Sequence, residues 1–167
     1  MGIKARLLAA ALTIATPLVG YFEGRNLLAY LDPIGKPTIC DGWTRGVRLG
    51  DQATDAQCDA FTRKGLEEAA DVFARWVPEE VADKLSARTL AAFLSFIYNT
   101  GPGAPGVKDG FVWLKSGHHS TMLLRLQAGR VAEACAQLSN WTSAGGRKLG
   151  GLIKRRAAER ALCEGGL

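Results

Sequence analysis

Residues 86–101 constrain this chain most. Ser86 can cap a helix running to Asn99, and along it Leu90, Ala91, Ala92, Phe93, Leu94, Phe96, Ile97 and Tyr98 leave almost no polar face. A helix apolar on nearly every side belongs at the centre of a core, so the rest of the chain must supply the elements that enclose it. Gly101 ends it. With 167 residues there is chain enough for one ordinary core and too little for two comfortable domains.

The enclosing elements read as helices. Thr54-Asp55-Ala56-Gln57 has the form of a capping box, and Phe61, Leu66, Ala69, Val72, Phe73 and Trp76 follow on one helical face that stops before Pro78. Ser120 caps a short helix ending at Gly129, Val131 to Leu138 mark another that Trp141 closes, and Leu152 to Cys163 form the last, after a glycine-rich turn over Thr142–Gly151. Between Gly101 and Gly117 a Gly/Pro-rich connection carries Trp113 as an aromatic anchor. Trp113 can stack on a sugar ring or pack the loop down. The adjacent His118 and His119 read as solvated, and no Cys or His spacing resembles a metal site. No cofactor is expected.

Apolar residues make up 47% of the chain and charged ones 22%, which describes a chain folded throughout. The net charge of +5 favours anionic polymers without choosing among nucleic acid, membrane surface and cell wall. Arg147, Lys148, Lys154, Arg155, Arg156 and Arg160 cluster near the C-terminus, but Glu159 and Glu164 interrupt them. The cluster therefore reads as a solvated helix face, and no nucleic-acid partner is expected.

Lys4 and Arg6 precede an uncharged run from Leu7 to Phe22. A permanent span needs about 20 strongly apolar residues, so this run is marginal. It can be a cleaved signal, a reversible anchor or a buried first helix. The positive flank predicts that the N-terminus stays inside while the remainder is exported. Four cysteines agree with export. The pairs Cys40–Cys58 and Cys135–Cys163 are favoured because each joins adjacent elements; four buried thiols are the alternative.

Glu23 is the first charge after that run. A helix ending near it is followed by backbone broken at Gly24, Pro33, Gly35, Pro37 and Gly42, so short strands and turns fold Asp32 and Thr38 back toward the helix end. Two carboxylates facing one gap suit glycosidic hydrolysis, one as proton donor and one to activate water or attack the sugar. A helix-end Glu and a turn-forming Asp before Pro33 are the bland alternative.

Phe22-Glu23-Gly24, Tyr30-x-Asp32, Thr38 and Gly42-x-Thr44 resemble the active-site segment of phage-type lysozymes, the muramidase endolysins of glycoside hydrolase family 24. Ser95-Phe96-Ile97-Tyr98-Asn99-Thr100-Gly101, Thr121-Met122-Leu123-Leu124-Arg125, Trp141-Thr142-Ser143-Ala144-Gly145-Gly146 and Gly151-Leu152-x-x-Arg155-Arg156-x-x-Glu159 are similar to that family in order and content. Among its members the chain looks most like signal-arrest-release endolysins of lambdoid phages, held at the inner membrane until lysis. The resemblance implies an α+β, mostly helical lysozyme-like fold, with a small β/turn lobe after the first helix and a helical lobe. It implies Glu23 as general acid, Asp32 as the base that activates water, Thr38 helping to place the water, and inversion, for which the carboxyl groups should stand about 6.5–9.5 Å apart. Asn99 matches a cleft-lining position or is a helix C-cap. Where the family carries Gly-x-Gly-His-Thr, this chain has Cys40-Asp41-Gly42-Trp43-Thr44. Trp43 thus replaces a histidine usually assigned a structural role, and Asp41 reads as facing solvent. The loop from Gly103 to Ser120 is longer than in short members.

These readings describe a monomeric peptidoglycan muramidase that cleaves between N-acetylmuramic acid and N-acetylglucosamine. Residues 1–22 form an N-terminal segment, with 7–22 at the inner membrane before release, and residues 18–167 a single catalytic domain in the host periplasm. A lytic transglycosylase is the rival enzyme, and a non-enzymatic membrane- or wall-binding protein the rival of another class.

Overall fold

The structure is a computed structural model that describes residues 3–32 and 35–166; residues 1 and 2 of the N-terminal segment, Pro33 and Ile34 of the turn region, and Leu167 lie outside them. Helix α4 (Ala87–Thr100) is the centre, with every residue from Thr89 to Ile97 buried. Ser86 Oγ accepts from Thr89 N at its start, as an N-cap does. Helices α1 (Ala5–Glu23), α2 (Asp55–Trp76) and α7 (Gly150–Glu164) pack around it.

Helix α1 docks by a stripe of Ala11, Leu12, Ala15 and Val19 at helical spacing, and Lys4 pairs with Asp83 at 3.0 Å near its start. By length and mean hydropathy (1.5) the same helix could cross a membrane. Here its small residues let it lie against the core.

The small lobe follows at once. Strand β1 (Asn26–Leu31) pairs antiparallel with β2 (Pro37–Cys40), Tyr30 opposite Thr38, with a register shift between Asn26 and Tyr30. Ile39 and Trp43 exchange both backbone hydrogen bonds at 2.9 Å, closing a tight turn. Ala29, Ile39, Cys40 and Cys58 form a small core of their own. The Cys40–Cys58 disulfide ties this lobe to α2, and Cys135–Cys163 ties the segment before residue 138 to α7. Both favoured pairings are present. Helix α2 begins at the capping box expected at Thr54 and Gln57.

A single turn, α3 (Glu79–Ala82), leads into α4, and α5 (Thr121–Gln127) and α6 (Val131–Gln137) follow it. The glycine-rich turn before α7 contains a two-residue hairpin, β3 (Ser143–Ala144) with β4 (Arg147–Lys148). Each strand is only two residues long on either side of Gly145-Gly146, too short to show an alternating pattern in the sequence. The 101–119 connection is an ordered fold-back: Phe111 N donates to Gly101 O and Gly110 N to Trp113 O. Gly103 and Gly110 pass so closely there that a β-carbon on Gly103 would stand 2.1 Å from Trp113 O. His119 is half-buried rather than solvated, its ring 4.0 Å from that of Trp113 and against Trp76 as well. Only His118 of that pair is exposed.

Candidate active site

Between the small lobe and the helices lies a cleft of about 460 Å³, within the range of small-ligand sites. The last residue of α1, Glu23, lines it together with Tyr98 and Asn99 of α4, Asp41, Gly42, Trp43 and Arg45 of the turn after β2, and Glu68 of α2. Gly24 (φ 73°) ends α1 in the left-handed region, which costs glycine no β-carbon clash. That break places Glu23 at a helix end where chain and cleft meet.

The Glu23 side chain is 22% exposed and accepts from Arg155 Nη1 at 2.5 Å through Oε1. Its other oxygen, Oε2, is on the Gly42 side, where a β-carbon would come within 3.8 Å. Arg155 is anchored from behind: Nε donates to Glu159 Oε1 at 3.1 Å and Nη2 to Ser95 O at 3.3 Å. Glu159 is fully buried and also accepts from Ser95 Oγ at 2.7 Å and from Arg156 Nη1. Arg156 in turn donates to Asn99 Oδ1 and to Trp141 O. Its pKa is lowered by burial, which the neighbouring Glu159 opposes. The sequence places Arg155 and Arg156 on a solvated basic face; both are buried instead, because Glu159 lies three and four residues further along the same helix and neutralises them inside.

A second network borders the cleft at the turn. Asp41 is 1% exposed, not solvent-facing as the sequence suggests. It receives Arg25 through Nε at 3.1 Å and Nη2 at 2.7 Å, and Thr62 Oγ1 at 2.6 Å. Arg25 also pairs with Asp55 and Asp59 on α2, so its pKa rises, chiefly through the Asp41 bond. Tyr98 Oη donates to Asp41 O at 3.1 Å, and burial, with Glu23 and Asp41 adding to it, pushes the phenol up to about 12. Gly65 makes room for this ring: a β-carbon there would meet Tyr98 Cε2 at 2.5 Å.

Trp43, in the place of the family's histidine, stacks on Phe61 with centroids 4.9 Å apart and receives Arg45 over its ring at 4.1 Å. Arg45 forms a two-point pair with Glu68 at 2.7 and 2.8 Å, holding the Glu68 carboxyl below its usual range.

Of the residues the sequence nominates, Glu23 and Asn99 come together in the cleft. Asn99 lies in the last turn of α4 rather than capping it; Gly101 is the cap. Asp32 and Thr38 sit beyond, on the hairpin. Lys36 N donates to Asp32 Oδ1 at 2.8 Å, while Thr38, buried in β2, donates to Lys36 O at 3.0 Å. Trp113 sits elsewhere, against Trp76 and His119. Sequence reasoning missed Arg155 and Glu159 as site residues, although their spacing was the available signal. Among the described residues no three His, Cys, Asp or Glu side chains converge as a metal-ligand set.

A family model described as phage lysozyme matches residues 20–159. A SAR-endolysin of Pseudomonas phage phiKMV is 34% identical over 158 residues, covering 92% of this chain and 88% of that protein. The muramidase domain of SpmX from Asticaccaulis excentricus superimposes with a TM-score of 0.70 at 29% identity, over 90% of this chain and 94% of that one. The active form of the P1 phage endolysin Lyz does so with a TM-score of 0.74 at 24% identity, over 98% and 95%, a likeness of fold.

Proposed function

The chain belongs to the phage lysozyme family, and from that premise we propose how it works as an endolysin, a glycoside hydrolase that lyses peptidoglycan. Glu23 donates a proton to the oxygen linking N-acetylmuramic acid to N-acetylglucosamine. That bond breaks as water attacks the anomeric carbon from the opposite face, Asp32 takes the proton from the water, and Thr38 helps to place it. The product carries inverted configuration. The observation that carries the reading is Glu23 itself, a carboxyl lining the cleft with one oxygen fixed by Arg155 and the other on the side of Gly42, which has no side chain. Asn99 holds the glycan beside it. The protein acts as a monomer.

Mass and NMR analysis of digested peptidoglycan tests the chemistry. Reducing N-acetylmuramic ends, formed first as the α-anomer from the β-linked strand, are expected. Anhydromuramic ends would contradict hydrolysis, and a β-anomer would contradict inversion.

The same chain reaches its substrate by export, tethered to the inner membrane through residues 7–22 with the N-terminus inside. Helix α1 supplies both the apolar run and the scaffold that presents Glu23. It cannot do both at once, so the anchored form is inactive and release switches the enzyme on. Membrane fractionation before and after the potential is dissipated is expected to move activity from membrane to soluble fraction. Full activity from a form still inserted would refute this.

A further inference from the structure

Glu159 does not line the cleft, yet the two arginines it holds each donate to a residue that does, Glu23 and Asn99. Arg155 and Arg156 are 3% and 1% exposed and Glu159 is 0%, so their charges are compensated inside the protein or not at all. Glu159 Oε1 takes Arg155 Nε and Ser95 Oγ, and Oε2 takes Arg156 Nη1. Beyond Glu159, Arg155 donates to Ser95 O and to Glu23, and Arg156 to Trp141 O and to Asn99. One buried carboxylate therefore sets two cleft residues through two different side chains.

We propose that Glu159 is a positioning residue for the glycosidase reaction: by sharing Arg155 with Glu23 it moderates the hold of that guanidinium on the acid, and through Arg156 it fixes Asn99. The proposal rests on Glu23 being the general acid. Without Glu159, Arg155 and Arg156 would face Glu23 as their sole nearby carboxylate on that side, and Glu23 would be kept ionised to lower pH. The other groups facing Glu23 are Tyr98 from α4, whose phenol stays neutral to about pH 12, and Asp41 from the turn after β2, already engaged by Arg25. The Phe22 ring lies against Arg155 at 5.8 Å and carries no charge. Glu159 is thus the one buried counter-charge that divides Arg155 with Glu23.

The test is the pH profile of reducing-end release from purified peptidoglycan by the full-length chain. Glu159→Gln keeps an acceptor for Ser95 and Arg155 and loses the charge. Its alkaline limb is expected to move down by roughly 1 pH unit, with a raised KM from the loosened Asn99. A structural role alone would lower melting temperature and activity while leaving the limb in place. Should Glu159→Gln fail to fold, Glu159→Asp, charged but one methylene shorter, is read the same way. A smaller shift in the same direction supports the proposal. An unshifted limb in the folded variant overturns it. Loss of activity in Glu23→Gln, measured alongside, separates the two claims: if Glu23→Gln stays active the acid assignment fails, and if it is dead while the limb of the Glu159 variant is unmoved, only the positioning role fails.

Discussion

Two charge networks flank Glu23, and they are built on opposite principles. The one on α7 is sealed. Glu159, Arg155 and Arg156 come from one helix at spacings of three and four, have almost no exposure, and reach the cleft through the bonds of the arginines to Glu23 and Asn99. The one at the turn is half open. Asp41 is buried, but Arg25 is 23% exposed and its two other partners, Asp55 and Asp59, are 73% and 58% exposed. Charges out of water cost several kcal/mol each unless fully paired, whereas exposed pairs contribute little. The sealed network can therefore hold side chains to one geometry because any lost partner is expensive. The open network clamps backbone: it fixes the turn that bears Gly42 and the segment just after Glu23, and it keeps spare carboxylates for Arg25.

The comparison is broken most severely at Arg155. Arg155→Met leaves Glu159 buried with a single cationic partner and should lower stability by about 3–5 kcal/mol, read as a fall in urea midpoint at unchanged m-value. A loss below that of Asp41→Asn would show that the α7 network is not the tighter one. Asp41→Asn keeps an acceptor for Thr62 and loses the charge facing Arg25, which retains Asp55 and Asp59; a cost of about 1–3 kcal/mol is expected. Paired with Arg25→Gln it should be non-additive by about 0.5–3 kcal/mol in urea denaturation.

The smallest effect belongs to the exposed pair on the cleft wall. Arg45 holds the Glu68 carboxyl below its ordinary value of 4.5, so this contribution is fully present above pH 4.5 and disappears as pH falls through the lowered value. The difference in melting temperature between the native chain and Glu68→Gln should be small, constant from neutral pH down to that point, and vanish in stronger acid.

Local signals survived the passage from sequence to structure. Ser86, Ser120 and Thr54 cap the helices they precede, and α4 is buried because it has no polar face. The cysteine pairs join neighbours. What the sequence hid is non-local. Asp41 between Cys40 and Gly42 looks like any turn aspartate, since its partners are Arg25, sixteen residues earlier, and Thr62, twenty-one later. Trp113 reads either as a sugar platform or as the anchor of its loop, and only the non-local Trp76, with His119, packs it down as the anchor. Arg155 and Arg156 look like surface charge because a glutamate at the next turn does not by itself mark a buried pair: Arg160 pairs with Glu164 at the same spacing on the surface, whereas Glu159 holds its two arginines inside. Glu23 was legible from its isolation after the apolar run; its partner on α7, 132 residues away, was not.

The central claim is that the Glu23 carboxyl supplies the proton. Glu23→Gln keeps the shape and an acceptor for Arg155 but has no acidic proton. Its initial rate on purified peptidoglycan, with the melting curve confirming the fold, should fall by about 10²–10⁴-fold. A folded Glu23→Gln protein that still releases reducing ends at the native rate would contradict the account.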